Sequence, residues 1–197
     1  MEIIAKQTQQ KKRREARIQT VYSRCLITRK IVLPITSIGK NLQEVIEDNV
    51  KFYFEGKCVV EGYIKQNSSK IITYSSGVIV RGNNISFEVV FECDICFPVE
   101  GMIIPCVAKN ITKAGIRAES ATDVPSPVVV FIAKDHHYNN TYFGEIQEGD
   151  KFNVRVIGQR FELNDKYISI IGELIKEKDF TQQKPKQASK PRIVIED

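Results

Sequence analysis

The sequence predicts two domains: an α+β domain with one helix on an antiparallel sheet, followed by an all-β barrel of five strands, the OB type. One stretch of helical period lies among short β-branched runs in the first half of the chain. Beyond Pro98 every apolar run is strand-like, with five such runs in about 75 residues. A chain of 197 residues with 42% hydrophobic content can bury a core in each domain.

The N-terminal domain opens with a strand at residues 21–33, which a turn at Pro34 ends. In residues 37–55 apolar side chains recur at the spacing of one helix face, and Asn41 followed by Glu44 has the form of a capping box. Gly56 ends this helix. Turn-forming residues then separate three further strands, at 58–64, 70–80 and 85–97.

Pro98 marks the change of domain, because proline cannot donate a hydrogen bond to a continuing sheet. The strands predicted after it are 101–110, 115–120, 128–133, 151–160 and 167–174. The run 128–133 (VVVFIA) is continuously apolar, which suits a buried central strand. A longer irregular insert is expected at 134–147.

The chain therefore divides into a basic flexible arm (1–21), the N-terminal domain (22–98), the OB domain (99–176) and a disordered tail (177–197). Residues 1–24 hold seven basic and two acidic side chains, which accounts for the whole net charge of +5. A general basic surface for nucleic acid is thus excluded. The arm is compatible with a solvated segment, with phosphate contact or with a nuclear-import signal.

The five cysteines lie mostly in apolar runs, as buried free thiols of a reducing compartment would. Cys93 and Cys96 have the spacing of a zinc knuckle, and Cys106, His136 and His137 could complete a ligand set. Residues three apart on a strand face opposite ways, however, so we expect no metal site. No glycine-rich cofactor loop, apolar signal peptide or membrane-length apolar run is present, so we expect an intracellular, soluble protein without a cofactor.

Several short motifs carry a resemblance to a known family. The run 149–156 (GDKFNVRV) resembles the entry to the fourth strand of S1-type OB domains, and 97–101 (FPVEG) resembles the opening of that domain in one family. The ending 167–174 (YISIIGEL) and, in the N-terminal half, Ile38-Gly39 and 61–64 (EGYI) are similar to the same family. This family is the larger stalk subunit of multisubunit DNA-dependent RNA polymerases, which comprises the seventh subunit of the eukaryotic enzyme and its archaeal counterpart.

The resemblance implies a noncatalytic subunit whose N-terminal tip domain docks on the polymerase core near the clamp, with a smaller stalk partner alongside. The matching docking positions are Ile38, Gly39, Gly62 and Tyr63. The OB domain would contact nascent RNA, with Lys109, Lys113, Arg117, Lys134, His136, His137, Tyr138, Lys151 and Arg155 as candidates.

RNA contact is expected to be weak, for two reasons. Ile116 stands where strongly binding S1-type domains have an aromatic residue, and stacking is worth about 1 to 3 kcal/mol per base. Residues 99–175 also hold eight basic and ten acidic side chains, a net charge of −2.

The sequence can be compared with two other classes of function, a freestanding RNA-binding protein and an enzyme. A freestanding S1-type RNA-binding protein of translation or RNA decay would leave the helix-bearing first domain unexplained. An enzyme is not expected, because neither a nucleophile motif nor paired carboxylates accompany His136 and His137. The extensions and the composition rich in Lys, Ile and Asn favour a version encoded by a large DNA virus, located in a viral factory or virion. A cellular version would be nuclear.

Overall fold

A computed structural model describes residues 20–39, 41–137 and 141–175. Nearly all of the predicted arm and the whole predicted tail lie outside these residues. Neither helix of the described segments is long and apolar enough to span a bilayer. The described residues have the two predicted folds in the predicted order, an α+β domain and then a closed β-barrel.

The N-terminal sheet is built around one long strand. Strand β6 (Asn84–Cys96) pairs along its whole length with the antiparallel strand β1 (Tyr22–Pro34). Its other edge pairs in turn with three short strands, β3, β4 and β5, and β3 pairs in addition with β2. The short strands are β2 (Cys58–Val59), β3 (Gly62–Ile64), β4 (Lys70–Tyr74) and β5 (Val78–Val80).

Helix α1 (Leu42–Phe54) covers one face of this sheet. Ile46 and Val50 are fully buried in the same core as Ile27 and Phe91, which confirms the predicted helix on a sheet. The helix begins directly after Asn41, the residue predicted as its cap. The earlier start near Ser37 that the period also allowed is not used, because a 3-10 turn, Ile35–Ser37, occupies the chain there. The predicted capping box does not form, since the Asn41 side chain makes no capping hydrogen bond.

Two strands predicted as continuous are each divided. The segment 58–64 is a tight hairpin of β2 and β3, and 70–80 is interrupted between β4 and β5. At the second interruption the backbone N–H of Ser75 donates to the carbonyl of Glu88, and the Ser75 hydroxyl accepts from the Glu88 N–H. Gly77 then passes so close to the sheet that an added Cβ would lie 2.5 Å from the Ile85 side chain.

The C-terminal domain is a closed five-stranded barrel, with the strand order β7-β8-β9-β11-β10 and β10 returning to β7. All pairs are antiparallel except β9 with β11, which are parallel. This topology confirms the predicted OB barrel. The elements are β7 (Ile103–Ile111), β8 (Gly115–Ser120), β9 (Val128–Ala133), β10 (Lys151–Arg160), β11 (Ile168–Ile175) and a short helix, α2 (Thr141–Glu145), within the expected insert.

The two domains share a buried core. Cys58, Tyr63 and Cys96 of the N-terminal domain belong to the same buried cluster as the barrel interior. The backbone N–H of Cys58 donates to the Asp165 carbonyl at 2.8 Å, and the N–H of Asn164 donates to the Cys58 carbonyl at 2.9 Å. The loop between β10 and β11 is therefore held to strand β2 by two backbone hydrogen bonds, and this contact is termed the joint.

Candidate nucleic-acid interface

An aromatic side chain lies exposed on the outer face of the barrel. Phe131 of β9 is directly opposite Arg117 of β8 and Ile171 of β11, so the three side chains share one face. Phe131 is 39% exposed and Ile171 is 53% exposed. The ring is thus accessible to a planar group and has a guanidinium on one side.

Close approach of β8 and β9 positions this ring. An added Cβ on Gly115 would lie 2.2 Å from the Ile132 carbonyl oxygen and 3.0 Å from the Phe131 ring. Only glycine permits this spacing. The next side chain, Ile116, is fully buried in the barrel, so position 116 could not present an aromatic residue to a base in this register.

A depression of about 340 Å³ adjoins the same face. Its lining includes Lys109, Arg117, Val129, Lys166 and Tyr167. Lys166 and Tyr167 come from the loop between β10 and β11, which OB folds place beside the outer faces of their second and third strands. The depression therefore combines one aromatic side chain, Tyr167, with three basic side chains, Lys109, Arg117 and Lys166.

Acidic neighbours neutralise part of this charge. The ammonium of Lys109 lies 3.7 Å from a carboxylate oxygen of Glu119. Asp123 also lines the depression, but its carboxylate lies 4.0 Å from the ammonium of Lys65, which is outside the depression. Within the described residues Arg117 and Lys166 have no ion-pair partner. These two cations remain available to phosphate groups.

Sequence reasoning identifies Lys109 and Arg117 but misses Phe131, Lys166 and Tyr167. Phe131 lies within the run 128–133, which is predicted to be continuously buried. In the structure Val128, Val130 and Ile132 are fully buried while Phe131 points outward. The period of two along a strand would have indicated this arrangement.

The other predicted RNA-binding residues are dispersed. Lys113, Lys134 and His136 are exposed at one rim, where the backbone N–H of Lys134 donates to the carbonyl of Ala114. Lys151 and Arg155 lie on β10, which borders neither β8 nor β9. Arg155 also forms an ion pair with Glu173 at 3.2 Å. One surface cannot use all of these side chains together.

The structure corrects the role predicted for His137. Its side chain is buried, stacks on Phe143 at 5.5 Å between ring centroids, and engages both ring nitrogens in contacts with the backbone. His137 therefore has a structural role in the barrel, and neither of its ring nitrogens is free to contact RNA. Tyr138 lies outside the described residues.

The predicted docking positions divide into two pairs. Ile38 is half-buried against the N-terminal core, and Gly39 is exposed, so both lie at the surface. Gly62 and Tyr63 are buried at the joint, where Tyr63 is 2% exposed. They are placed to shape the hairpin of β2 and β3, and a partner could not touch the Tyr63 side chain directly.

Cys93 and Cys96 point into different cores, as alternation along a strand predicts. Cys93 packs in the N-terminal core, whereas Cys96 belongs to the cluster shared with the barrel. Burial raises the pKa of each thiol to about 12. Within the described residues no group of three or more His, Cys, Asp or Glu side chains is placed to hold a metal ion.

Together, the topology and the exposed face define a two-domain protein of the OB class. No protein-family model matches the chain. The chain is 28% identical over 176 residues, covering 80% of this chain and 83% of the relative, to a protein of Acanthamoeba polyphaga mimivirus named "Putative DNA-directed RNA polymerase subunit". This similarity supports the resemblance to RNA polymerase subunits and to a viral version. The relative's name does not specify which subunit it is, so the stalk assignment stays a prediction.

Proposed function

We propose that this protein is a noncatalytic stalk subunit of a viral DNA-dependent RNA polymerase, which docks on the polymerase core and contacts nascent RNA. The observation that carries the proposal is the extent of the similarity to the mimivirus protein. A match over 80% of the chain cannot be confined to one domain, because neither domain reaches half of the chain. The sequence similarity to the mimivirus protein therefore extends into both domains.

Exposed apolar groups beside the joint support docking through this region. Val60, at the tip of the hairpin of β2 and β3, is 73% exposed, and Leu163, in the barrel loop next to it, is 63% exposed. Together with Tyr53 they line a groove of about 470 Å³ that belongs to both domains. An apolar surface of this kind marks a protein contact site. A core subunit or a smaller stalk subunit would bury it.

Contact with RNA is assigned to the face around Phe131. A base would stack on the ring while Arg117 and Lys166 contact the neighbouring phosphates. Arg117 and Lys166 are the two basic residues of the depression without an acidic partner in the described part of the chain. Because two cations can contact few phosphates, the binding of RNA would be weak and would depend on salt. Weak contact suits a subunit that guides a transcript already held by the rest of the polymerase.

The test is a pull-down of tagged full-length protein from infected cells, washed at high salt, with the retained proteins identified by mass spectrometry. High salt removes contacts that depend on phosphate and preserves apolar docking. The two largest polymerase subunits should remain bound. The matched variants Val60→Asp and Ile157→Asp both place a carboxylate on an exposed apolar position, but only Val60 lies at the groove, so only Val60→Asp should lose the polymerase.

Recovery of ribosomal or RNA-decay proteins that salt removes would overturn the proposal in favour of a freestanding RNA-binding protein. Retention of the polymerase by both variants would leave the subunit assignment standing but would refute the groove as the docking surface. Enrichment of the protein in purified virions or viral factories would test the proposed location.

A further inference from the structure

Two cysteines face each other across the long pair of strands in the N-terminal domain. Cys25 of β1 is the direct register partner of Cys93 of β6. The five cysteines are all free thiols, and Cys25 is the exposed one while the other four are buried. The strand β1 that carries Cys25 lies at the edge of the sheet, so solvent reaches this thiol.

The backbone pattern fixes how close these two residues are. On β6 the carbonyls of Glu88 and Asp94 accept hydrogen bonds from Ser75 and Lys65, on the side away from β1. Because successive residues on a strand alternate in direction, the backbone groups of Cys93 point toward β1. Cys25 and Cys93 are therefore a hydrogen-bonded pair, whose Cα atoms lie about 5.5 Å apart in antiparallel sheets. This spacing falls within the range that disulfide bonds span.

We infer that Cys25 and Cys93 form a reversible redox site, in which a small-molecule disulfide such as glutathione disulfide converts the two thiols to a cross-strand disulfide. The exposed thiolate of Cys25 attacks one glutathione sulfur, forms a mixed disulfide and releases the first glutathione. The Cys93 sulfur, losing its proton to solvent, then attacks the Cys25 sulfur and releases the second. The protein loses two electrons, and glutathione disulfide is reduced to two thiols.

The surroundings assign the order of these steps. Burial is the main cause that raises the pKa of Cys93 to about 12, and the nearby Cys25 and the carboxylates of Asp94, Glu55 and Glu61 act in the same direction. Thiolates are the attacking species, so the buried Cys93 cannot react first with a bulky reagent. It reacts second, within the chain, at a sulfur that the strand pairing already holds beside it.

The register also predicts that the disulfide is easily reduced. Although the Cα spacing suits a disulfide, Cβ atoms directly opposite each other lie about 4.5 to 5.5 Å apart and are farther apart in hydrogen-bonded pairs, whereas a disulfide holds them about 3.8 Å apart. The resulting strain favours reduction. The bond would clip the start of β1 to β6, three residues from Tyr22, whose side chain packs against the core shared with the barrel. Oxidation would therefore constrain strand β1 close to the core that the two domains share.

The experiment treats the full-length protein with glutathione disulfide, blocks the remaining thiols with an alkylating reagent and maps the linked peptides by mass spectrometry. Trypsin leaves Cys93, Cys96 and Cys106 together in residues 82–109, so a second cleavage at Asp94 must separate Cys93 from the other two. We expect a linked peptide joining Cys25 to Cys93, which disappears on treatment with a dithiol.

Two serine variants serve as the matched pair. Cys25→Ser should lose the linked peptide completely, whereas Cys58→Ser should retain it at the wild-type yield. If the wild-type protein instead carries glutathione on Cys25 while Cys93 is recovered as an alkylated thiol, the inference is overturned. A link from Cys25 to any cysteine other than Cys93, within the chain or between chains, overturns it equally.

Discussion

The backbone N–H of Leu174 donates a hydrogen bond of 3.0 Å to Nε2 of the His137 ring. The Nδ1 atom of the same ring lies 2.8 Å from the carbonyl oxygen of Ala133. Since Nε2 accepts, the proton must be on Nδ1, and the ring is the neutral tautomer that donates to Ala133. One side chain therefore connects the end of β9 to the end of β11.

Replacing His137 with alanine should destabilise the barrel. The Leu174 N–H would lose its buried acceptor, the Ala133 carbonyl would lose its donor, and Phe143 would lose its stacking partner. We expect a fall of roughly 2 to 4 kcal/mol in the free energy of unfolding, measured by urea denaturation. His136→Ala, at the exposed neighbour, should change it by less than about 0.5 kcal/mol. Equal effects of the two substitutions would refute the structural role of His137.

The sequence predicted the barrel well because its signals are local. Alternation and turn residues identify each strand without reference to the others, and all five barrel strands lie close to their predicted bounds. The role of His137 could not be predicted, since its partner Leu174 is 37 residues away and is brought there only by the closed barrel. The burial of Tyr63 has the same origin, because the barrel domain covers it.

Gly62 should not tolerate a side chain. Its φ of +130° is disfavoured for other residues, and an added Cβ would lie 2.5 Å from the carbonyl oxygen of Cys96. We expect Gly62→Ala to lower the free energy of unfolding by about 2 to 4 kcal/mol. Gly39→Ala is the matched control, since its added Cβ would have no heavy atom within 4 Å. If urea denaturation finds the two variants equally stable, then Gly62 does not lie as close to the Cys96 carbonyl as the structure indicates.

The face around Phe131 should account for RNA affinity, if the proposed function holds. Loss of the ring in Phe131→Ala removes one stacking platform, which is worth about 1 to 3 kcal/mol and corresponds to roughly a 5- to 150-fold weaker Kd. Fluorescence anisotropy with a labelled single-stranded RNA at low salt measures this change. Ile157→Ala, which truncates an exposed apolar residue on β10, should leave Kd within twofold, or about 0.4 kcal/mol.

Basic residues provide an independent test of the same face. Arg117→Ala should weaken RNA binding and reduce the dependence of Kd on salt, because Arg117 has no acidic partner in the described residues. Arg155→Ala removes an equal charge from β10, where Glu173 already pairs with it, and should have little effect. A larger loss for Arg155→Ala than for Arg117→Ala would place the RNA on the other side of the barrel.

Buried thiols should make the fold sensitive to alkali. Burial raises the pKa of Cys106 from its ordinary value of 9.0 to about 12 in the folded barrel. Above pH 9.0 the thiol therefore ionises in the unfolded chain but stays protonated in the folded one, so stability present at lower pH is lost as pH rises toward 12. For this one group the loss is at most about 1.4 kcal/mol per pH unit.

Urea denaturation at a series of pH values between neutrality and pH 12 measures that dependence. Cys106→Ala should be less stable than wild type at neutral pH but should lose stability more gradually as the pH rises. Val130→Ala creates a similar cavity in the same barrel core without removing a titrating group, so it should retain the wild-type slope. If the slopes of the two variants are the same, then ionisation of Cys106 does not contribute. The alkaline loss then comes from the other buried groups with raised pKa values, Cys58, Tyr63, Cys93 and Cys96.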